Sequence, residues 1–324
     1  MKKQLSISVA SMPGLNATMK TKFKSTIHAA CHSFSGVVCA GAVLLIASNA
    51  QAQNLFASDY YSGNIYEYTP SGVQSTFASG LADPFGLAFN SAGNLFEADG
   101  NEQPFPSGTI YEFTPGGVRS TFASGLVTPT GLAFNSAGNL FVGENTGNIY
   151  EYTPGGARST FASGLASDIG LAFNSAGDLF AADSDSGSIY EFTPGGVQST
   201  FASGLAGPFG LAFNSAGNLF VAASSSGNIY EYTPGGVQST FASGLNQPEG
   251  LAFNSAGDLF VANQLGNDII EFTPGGVGSI FASGLANPIA LAFQGETLPV
   301  PEPSALGLLA FGVFGITLLR RRQR

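Results

Sequence analysis

Acidic side chains at corresponding positions of a repeated sequence are the groups in this chain best suited to chemistry. Each ends a short apolar run and is followed by a loop of varying sequence. The carboxylates of this set are Asp59, Asp99, Glu144 and Asp183, and the corresponding later positions hold Ala223 and Asn263. Carboxylate and amide oxygens are ligands that suit Ca2+ and Mg2+. These positions therefore indicate oxygen-based chemistry, with Ca2+ as the candidate cofactor.

Thiol and imidazole chemistry is confined to the start of the chain. Both Cys residues (31 and 39) and both His residues (27 and 32) lie within the first 52 residues. The rest of the sequence therefore has no Ser/His/Asp or Cys/His catalytic set and no ordinary zinc site.

Charge is distributed unevenly along the chain. Of the 11 Lys and Arg residues only Arg119 and Arg158 lie between residues 53 and 299, whereas 20 of the 21 Asp and Glu residues do. The net charge of this stretch is therefore −18. Such a surface repels nucleic acid and anionic lipid and attracts cations, so we predict no nucleic-acid partner.

A repeat of about 40 residues organises the chain between these positions. The tetrapeptide E-(Y/F)-T-P starts at residues 67, 112, 151, 191, 231 and 271, at intervals of 45, 39, 40, 40 and 40. Each repeat contains four short runs of apolar and β-branched residues, separated by Gly, Pro, Asn and Ser. This pattern predicts four antiparallel strands per repeat, here a, b, c and d, and an all-β fold, a six-bladed β-propeller over residues 54–294.

The first repeat lacks strand a, and a lone a-type run, ALAFQ, follows the last repeat at 290–294. We predict that this C-terminal strand completes blade one and closes the ring, which protects the strand edges. Phe residues at one repeated position should form the layers between blades; they are Phe89, Phe134, Phe173, Phe213, Phe253 and Phe293.

Because the strands alternate in direction, the b–c loops and d–a connections share one face, and the a–b and c–d turns share the other. The turns hardly differ among the copies (NSAG and TPGG), whereas the loops and connections diverge. We call these the uniform face and the variable face, and expect any binding site on the variable face. Aromatic residues there are predicted to stack on sugar rings: Tyr60, Tyr61, Phe85, Phe105 and Phe209.

The Glu that opens each E-(Y/F)-T-P would form a ring of six carboxylates. Strand c is third from the propeller axis, too far out for these groups to converge. We therefore predict a repeated structural bond from this Glu to Ser or Thr.

Residues 1–52 have the features of a secretory signal peptide. Five Lys and no acid precede an apolar run at 37–47, and Ala50-Gln51-Ala52 supplies a small-x-small cleavage pattern. Cleavage after Ala52 and export by the Sec machinery are expected. A start at Met19 would give a leader of more usual length.

After a linker at 295–303, the C-terminal residues 300–324 resemble the PEP-CTERM sorting signal. The motif consists of Pro301, Glu302 and Pro303, an apolar run at 305–319 that we interpret as a transmembrane helix, and a cluster of Arg residues. The resemblance implies a Gram-negative bacterium and cutting by an exosortase. The protein would be exported across the inner membrane, held there by the helix, and then released to the cell surface or beyond. The alternative is a membrane anchor that is never cut.

The repeats themselves, with P-x-GLAF-N-x-x-G-NLFVAD, resemble NHL-type propellers and, more loosely, the gluconolactonase and senescence-marker family. In those enzymes metal ligands fall just before the Gly of this motif and at the Asp ending strand b. At the first position only Glu249 can bind metal here, because the other copies have Phe, Thr or Ile. The resemblance thus implies a metal set of Glu249, Asp59, Asp99 and Asp183, but the Asn that those enzymes also use is absent.

These observations favour an exported binding or structural module of the extracellular matrix, with polysaccharide or protein as its partner. The alternative is a calcium-dependent lactonase or hydrolase, with Glu249 as a ligand and Asp59, Asp99 or Asp183 as ligand or general base. A third interpretation is a bulky, stable surface domain without a ligand.

Overall fold

The computed structural model describes residues 53–100, 108–167 and 169–295. The predicted signal peptide, the PEP-CTERM residues 300–324 and most of the linker lie outside these ranges. Among the described residues no helix has the length and apolar character needed to cross a membrane.

The described residues form 24 strands, in six antiparallel sheets of four. Blades one to three contain β1 (Leu55–Asp59), β2 (Asn64–Tyr68), β3 (Gln74–Ala78), β4 (Pro84–Phe89), β5 (Leu95–Asp99), β6 (Gly108–Phe113), β7 (Arg119–Leu126), β8 (Pro129–Phe134), β9 (Leu140–Glu144), β10 (Ile149–Tyr152) and β11 (Arg158–Ala162). Blades four to six contain β12 (Ile169–Phe173), β13 (Leu179–Asp183), β14 (Ser188–Phe192), β15 (Gln198–Ala202), β16 (Pro208–Phe213), β17 (Leu219–Ala223), β18 (Asn228–Tyr232), β19 (Gln238–Ala242), β20 (Pro248–Phe253), β21 (Leu259–Asn263), β22 (Asp268–Phe272) and β23 (Gly278–Ser283). Strand β24 (Pro288–Phe293) belongs to blade one, and short 3-10 helices occupy Ser224–Ser226 and Gln264–Gly266. The six-bladed propeller with four-stranded blades is confirmed.

The burial of strand b explains why its sequence does not alternate between apolar and polar residues. All five residues of this strand are buried in each blade, because neighbouring blades cover both of its faces. Strand d, at the perimeter, begins with three exposed residues in each blade. Burial therefore declines outward, and the core consists of the layers between blades.

Ring closure occurs as predicted. β24 pairs with β1, with Phe293 opposite Leu55 and Leu291 opposite Ala57. Just outside this pair the Gln294 amide donates to the Asn54 carbonyl at 3.0 Å. The Gln53 side chain binds both the Gln294 carbonyl and the Ser255 amide, which joins the two chain ends to blade six.

The predicted Phe layers are also present. In each interface a strand-b Phe contacts a strand-d and a strand-a Phe edge to face, as in Phe56 with Phe77 at 5.0 Å and with Phe89 at 5.1 Å. Such pairs contribute about 0.5–1.5 kcal/mol beyond the burial of their area. The same arrangement recurs at the other five interfaces.

Glycine allows the innermost strands to approach one another. At Gly86, for example, a Cβ would collide with the Thr130 carbonyl of the next blade, and the same holds for Gly131, Gly170, Gly210 and Gly250. Blade one has Ala290 at this position. There Ser58 bridges the gap: its hydroxyl donates to the Phe85 carbonyl at 2.8 Å and accepts from the Ala290 amide at 3.0 Å.

A second polar residue, Glu97, lies in the same layer between blades one and two. It is on the side of β5 that carries Leu95, which packs with Phe56 and Ile65 of blade one. Glu97 is fully buried, and neither carboxylate oxygen has a hydrogen-bond partner. Burial, and secondarily the charge of Asp99, raise the pKa of Glu97 well above its ordinary value, while Arg119 opposes this shift. The corresponding residues in the other blades are apolar: Ala57, Val142, Ala181, Val221 and Val261.

Replacement of Glu97 by Val should therefore stabilise the propeller. An unsatisfied buried polar group costs about 1–3 kcal/mol, so Glu97→Val should raise the free energy of unfolding by about that amount near neutral pH. Because the folded-state pKa of Glu97 exceeds its unfolded value, the wild type should lose stability as pH rises from the ordinary Glu pKa toward the folded pKa. The gain from Glu97→Val should grow over the same interval.

Denaturant unfolding from pH 4 to 8 measures both effects. Glu97→Gln is the matched control, because it removes the charge but keeps a buried polar group. This control should flatten the pH dependence and recover only part of the stability. A wild type that becomes more stable than Glu97→Val as pH rises would contradict this account of Glu97.

Candidate functional site

On the variable face, each b–c loop is joined to the d–a connection that enters the same blade. In blade one, the Tyr60 amide donates to the Asn287 carbonyl at 3.0 Å. In blade two, the Gly100 amide donates to the main-chain carbonyl of Asp83 at 2.8 Å. Equivalent bonds occur at Asn145, Ser184, Ser224 and Gln264. These main-chain bonds form a hydrogen-bonded rim that fixes the backbone at the base of each loop.

The acids that end strand b belong to this rim. Asp59, Asp99, Glu144 and Asp183 are all buried. The Asp99 carboxylate accepts from the amides of Ala82 at 3.0 Å and Asp83 at 3.2 Å. The other three accept in the same way from Ala286 (2.7 Å), Val127 (2.8 Å) and Ala166 (2.8 Å). Each carboxylate thus holds the connection that leads into its own blade.

Blades five and six show what replaces this bond when the acid is absent. The Asn263 side-chain carbonyl accepts from the Asn246 amide at 2.7 Å. Ala223 has no side-chain acceptor, and in blade five the connection is held by the amides of Ser224 and Ser225, bonds that blades one and six also form. The position therefore has a structural use in five of the six blades, which the sequence pattern did not distinguish from a ligand position.

The proposed calcium ligands are distributed around the ring. Asp59, Asp99 and Asp183 end strands in blades one, two and four, and each binds its own connection. Glu249 lies in blade six and accepts from the Ser224 hydroxyl of blade five at 2.9 Å. Within the described ranges no three His, Cys, Asp or Glu side chains are grouped so as to hold a metal ion. The donor set does not fit one coordination sphere, and the calcium site stays a prediction.

The strand-c Glu residues do form a repeated structural bond, but the predicted partner was wrong. Glu67, Glu112, Glu151 and Glu231 each accept at 2.7 Å from the amide of the Asn that precedes strand b. The Asn side-chain amide reaches the carboxylate across the b–c strand pair, whereas the Ser opposite the Glu lies on strand d. The hydroxyls of Ser75, Ser120 and Ser239 instead donate to the main-chain carbonyl of the Glu.

In blades four and six the Asn is replaced by Asp, which creates pairs of like charge. Glu191 faces Asp178, and Glu271 faces Asp258. Burial, and secondarily the charge of the neighbouring Asp, raise the pKa of both Glu residues. The Asp side chains instead accept from Asn174 and Asn254 at 3.0 Å.

Three of the predicted aromatic residues form a cluster on the variable face. The ring of Tyr60 lies 5.2 Å from that of Tyr61 and 5.4 Å from that of Phe85, centroid to centroid. Tyr61 is 75% exposed, the largest exposure of any large hydrophobic residue described. Phe209 lies in blade five, three blades from Phe85, and Phe105 is outside the described residues. We call Tyr60, Tyr61 and Phe85 the aromatic cluster.

Comparisons with known proteins found separate matches for the C-terminal motif and for the propeller. Residues 299–323 match the PEP-CTERM protein-sorting motif. The propeller resembles a chain of the nidogen/laminin complex, with 16% identity, a TM-score of 0.66, and coverage of 76% of this chain and 99% of that one. It also resembles virginiamycin B lyase from Staphylococcus aureus (16% identity, TM-score 0.57, covering 77% of this chain and 91% of that one). A protein of unknown function from Bacteroides caccae is similar too (14% identity, TM-score 0.57, covering 76% and 100%).

No curated protein matches the chain. At these identities the structural likeness establishes the propeller fold alone. The sorting motif, which an exosortase recognises, implies that the protein is exported and anchored in the membrane before processing, in a Gram-negative bacterium.

The structural role of the strand-b acids can be tested at Asp99. Asp99→Ala should lower the free energy of unfolding by about 1.5–3 kcal/mol, because two backbone amides lose a charged acceptor. Asp99→Asn, the matched control, keeps one acceptor and should lose less. Thermal unfolding should show the same losses with calcium and with a chelator. A calcium-dependent rise in the wild-type Tm that disappears in Glu249→Gln would instead establish the metal site.

The repulsion between Glu191 and Asp178 in blade four can be removed by placing Asn at position 178, as in blades one, two, three and five. Asp178→Asn should stabilise the protein by about 1 kcal/mol at neutral pH, because the amide can donate to Glu191. Glu191 has a raised folded pKa, so the gain should shrink as pH falls and Glu191 becomes protonated in the wild type. Asn218→Asp, the converse change in blade five, should destabilise by a similar amount. Equal stability of all three proteins in denaturant titrations would count against the like-charge account.

Proposed function

We propose that the propeller is an extracellular binding module that takes a carbohydrate chain at the aromatic cluster. The observation that carries this proposal is the exposure of Tyr61 beside Tyr60 and Phe85. The aromatic rings that stabilise the fold form the regular layers between blades. These three rings lie on a loop and on an adjacent strand end, where the repeat does not require aromatic residues.

The chemistry of the site suits a sugar ring. An aromatic face offers an apolar platform with a polar hydroxyl at its edge, and the apolar face of a pyranose stacks on such a platform. Beneath the cluster, the bond from the Tyr60 amide to the Asn287 carbonyl holds the loop in place. A preformed site of this kind loses little entropy on binding.

Charge narrows the class of carbohydrate. Residues 53–299 carry a net charge of −18. A polyanionic polysaccharide would be repelled from such a surface, which favours a neutral or cationic chain. We therefore propose neutral or amine-bearing polysaccharide of the matrix as the ligand.

The similar structures do not by themselves choose between binding and catalysis, since they include a complex of two proteins and lyases. One of them is a virginiamycin B lyase made catalytically inactive by a His to Ala replacement. Residues 53–299 contain no His, which argues against transferring that activity to this chain. The calcium-dependent lactonase also stays a prediction, because no geometric observation favours it.

Glycan-array binding followed by calorimetry tests the proposal. Tyr61→Ala should weaken binding about 3- to 10-fold, which corresponds to the loss of one aromatic contact. The double variant Tyr60→Ala/Tyr61→Ala should weaken it further, while Tyr61→Phe should retain most of the affinity.

The matched control is Leu265→Ala, which truncates another exposed apolar side chain on the variable face, in blade six. Its binding should equal that of the wild type. Undiminished binding by the Tyr60/Tyr61 double variant would remove the aromatic cluster from the site. A wild type that binds no glycan would refute the carbohydrate proposal and direct the search to a protein partner.

A further inference from the structure

Both ends of the propeller chain emerge at the uniform face. Strands a and c end there, since Phe293 and Tyr68 both lie opposite Leu55 in blade one. The last bonds of the described chain are also at this end: Gln294 to Asn54, and Gln53 to Ser255 of the blade-six a–b turn. The chain that continues beyond Gly295 therefore leaves from the uniform face and not from the variable face.

The outer part of this face carries a circle of exposed apolar residues. Each c–d turn ends in an exposed Val, except in blade three, where it ends in Ala157. Their exposures are 63–70%, among the largest of the hydrophobic residues described: Val73, Val118, Val197, Val237 and Val277. An exposed Pro precedes each one by three residues. We call the five valines the valine circle.

The tips of the turns on this face are uncharged in all six blades. The a–b turns read NSAG and the c–d turns read TPGG or TPSG. The acids near this end are half-buried behind the turns, and six of them accept a hydrogen bond from an Asn side chain. The exposed charges at the rim are Arg119 and Arg158, whose guanidinium groups lie 4.9 Å from the ring centres of Tyr111 and Tyr150. The strong negative charge of the domain is therefore not presented at the tips of this face.

The sequence beyond Gly295 limits the distance between the uniform face and the membrane. Nine residues separate it from the apolar run at 305–319, which the sorting motif places in the membrane before processing. A chain of that length spans at most about 35 Å when fully extended. The tether therefore holds the uniform face close to the bilayer at a high effective concentration, so that weak apolar contacts suffice for docking.

We infer that the uniform face is a lipid-docking surface, which rests on the bilayer through the valine circle while the C-terminal anchor is in place. Exposed apolar groups at uncharged turn tips suit the boundary between lipid headgroups and acyl chains. Arg119 and Arg158 lie beside two of the turns and would meet lipid phosphates. The variable face then points away from the membrane. This inference is independent of the proposed carbohydrate binding.

The test uses the full chain without its leader, inserted through its anchor into phosphatidylcholine vesicles that contain a spin-labelled lipid. Without its leader the chain contains no Cys, because Cys31 and Cys39 both lie within residues 1–52. A single fluorescent label can therefore be placed by Val237→Cys on the uniform face, or by Ser225→Cys on the variable face of the same blade. Both positions are exposed, so neither label disturbs the core.

The label at 237 should be quenched by the spin-labelled lipid at least several-fold more than the label at 225. Replacing Val73, Val118 and Val197 by Ser should reduce the quenching at 237, and circular dichroism should confirm that the fold is unchanged. Equal quenching of the two labels would mean that the domain tumbles on its tether, which overturns the inference. Self-quenching between labels at 237 without quenching by lipid would also overturn it, and would identify a second copy of the chain as the occupant.

Discussion

The pairing of β24 with β1 is the interaction on which the rest of the structure depends. β1 is buried on every side, and without β24 its inner edge would expose main-chain groups to the channel side of the ring. The pairing joins residues far apart in the chain, such as Leu55 and Phe293, which are 238 positions apart. Its loop-closure cost is met only when all the intervening blades are in place. The layer between blades six and one also depends on this pair, since Phe293 contacts Phe260 edge to face across it.

The repeat made most of this architecture predictable. The spacing of E-(Y/F)-T-P indicated six units, and the stray ALAFQ run indicated how they close. The Phe layers followed from their single repeated position. What the repeat could not show is the effect of departures from it. Ala290 in place of Gly needs a hydroxyl bridge from Ser58, and the neighbouring Glu97 occupies a position that is apolar in every other blade. Comparison of the copies identifies these departures. Which residues meet across an interface, however, depends on the assembled ring and cannot be read from the repeat.

Predictions for the acids failed or remained open for a different reason. A carboxylate at the end of a strand has the same appearance in the sequence whether it binds an ion or a backbone amide. Asp99 reaches two amides of the connection that precedes its own blade, because that connection passes directly over the end of β5. Four of the six strand-c Glu residues likewise bind an Asn from the neighbouring strand, a partner set by the register between strands b and c. Sequence patterns identify the polar group, but its partner depends on which backbone passes within hydrogen-bond distance.

The two faces of the propeller differ because their loops are subject to different structural constraints. On the uniform face, short turns with positive-φ glycines such as Gly72 and Gly93 close each hairpin, so their sequences are limited by backbone geometry. On the variable face, main-chain bonds between loop and connection fix the rim, and the side chains above it are free to differ. The chain ends add a further asymmetry, since both leave from the uniform face. A ligand site on that side would have to share its space with the tether and the membrane. The variable face lies at the opposite end from the chain ends, and it is there that the copies diverge and that Tyr61 is exposed.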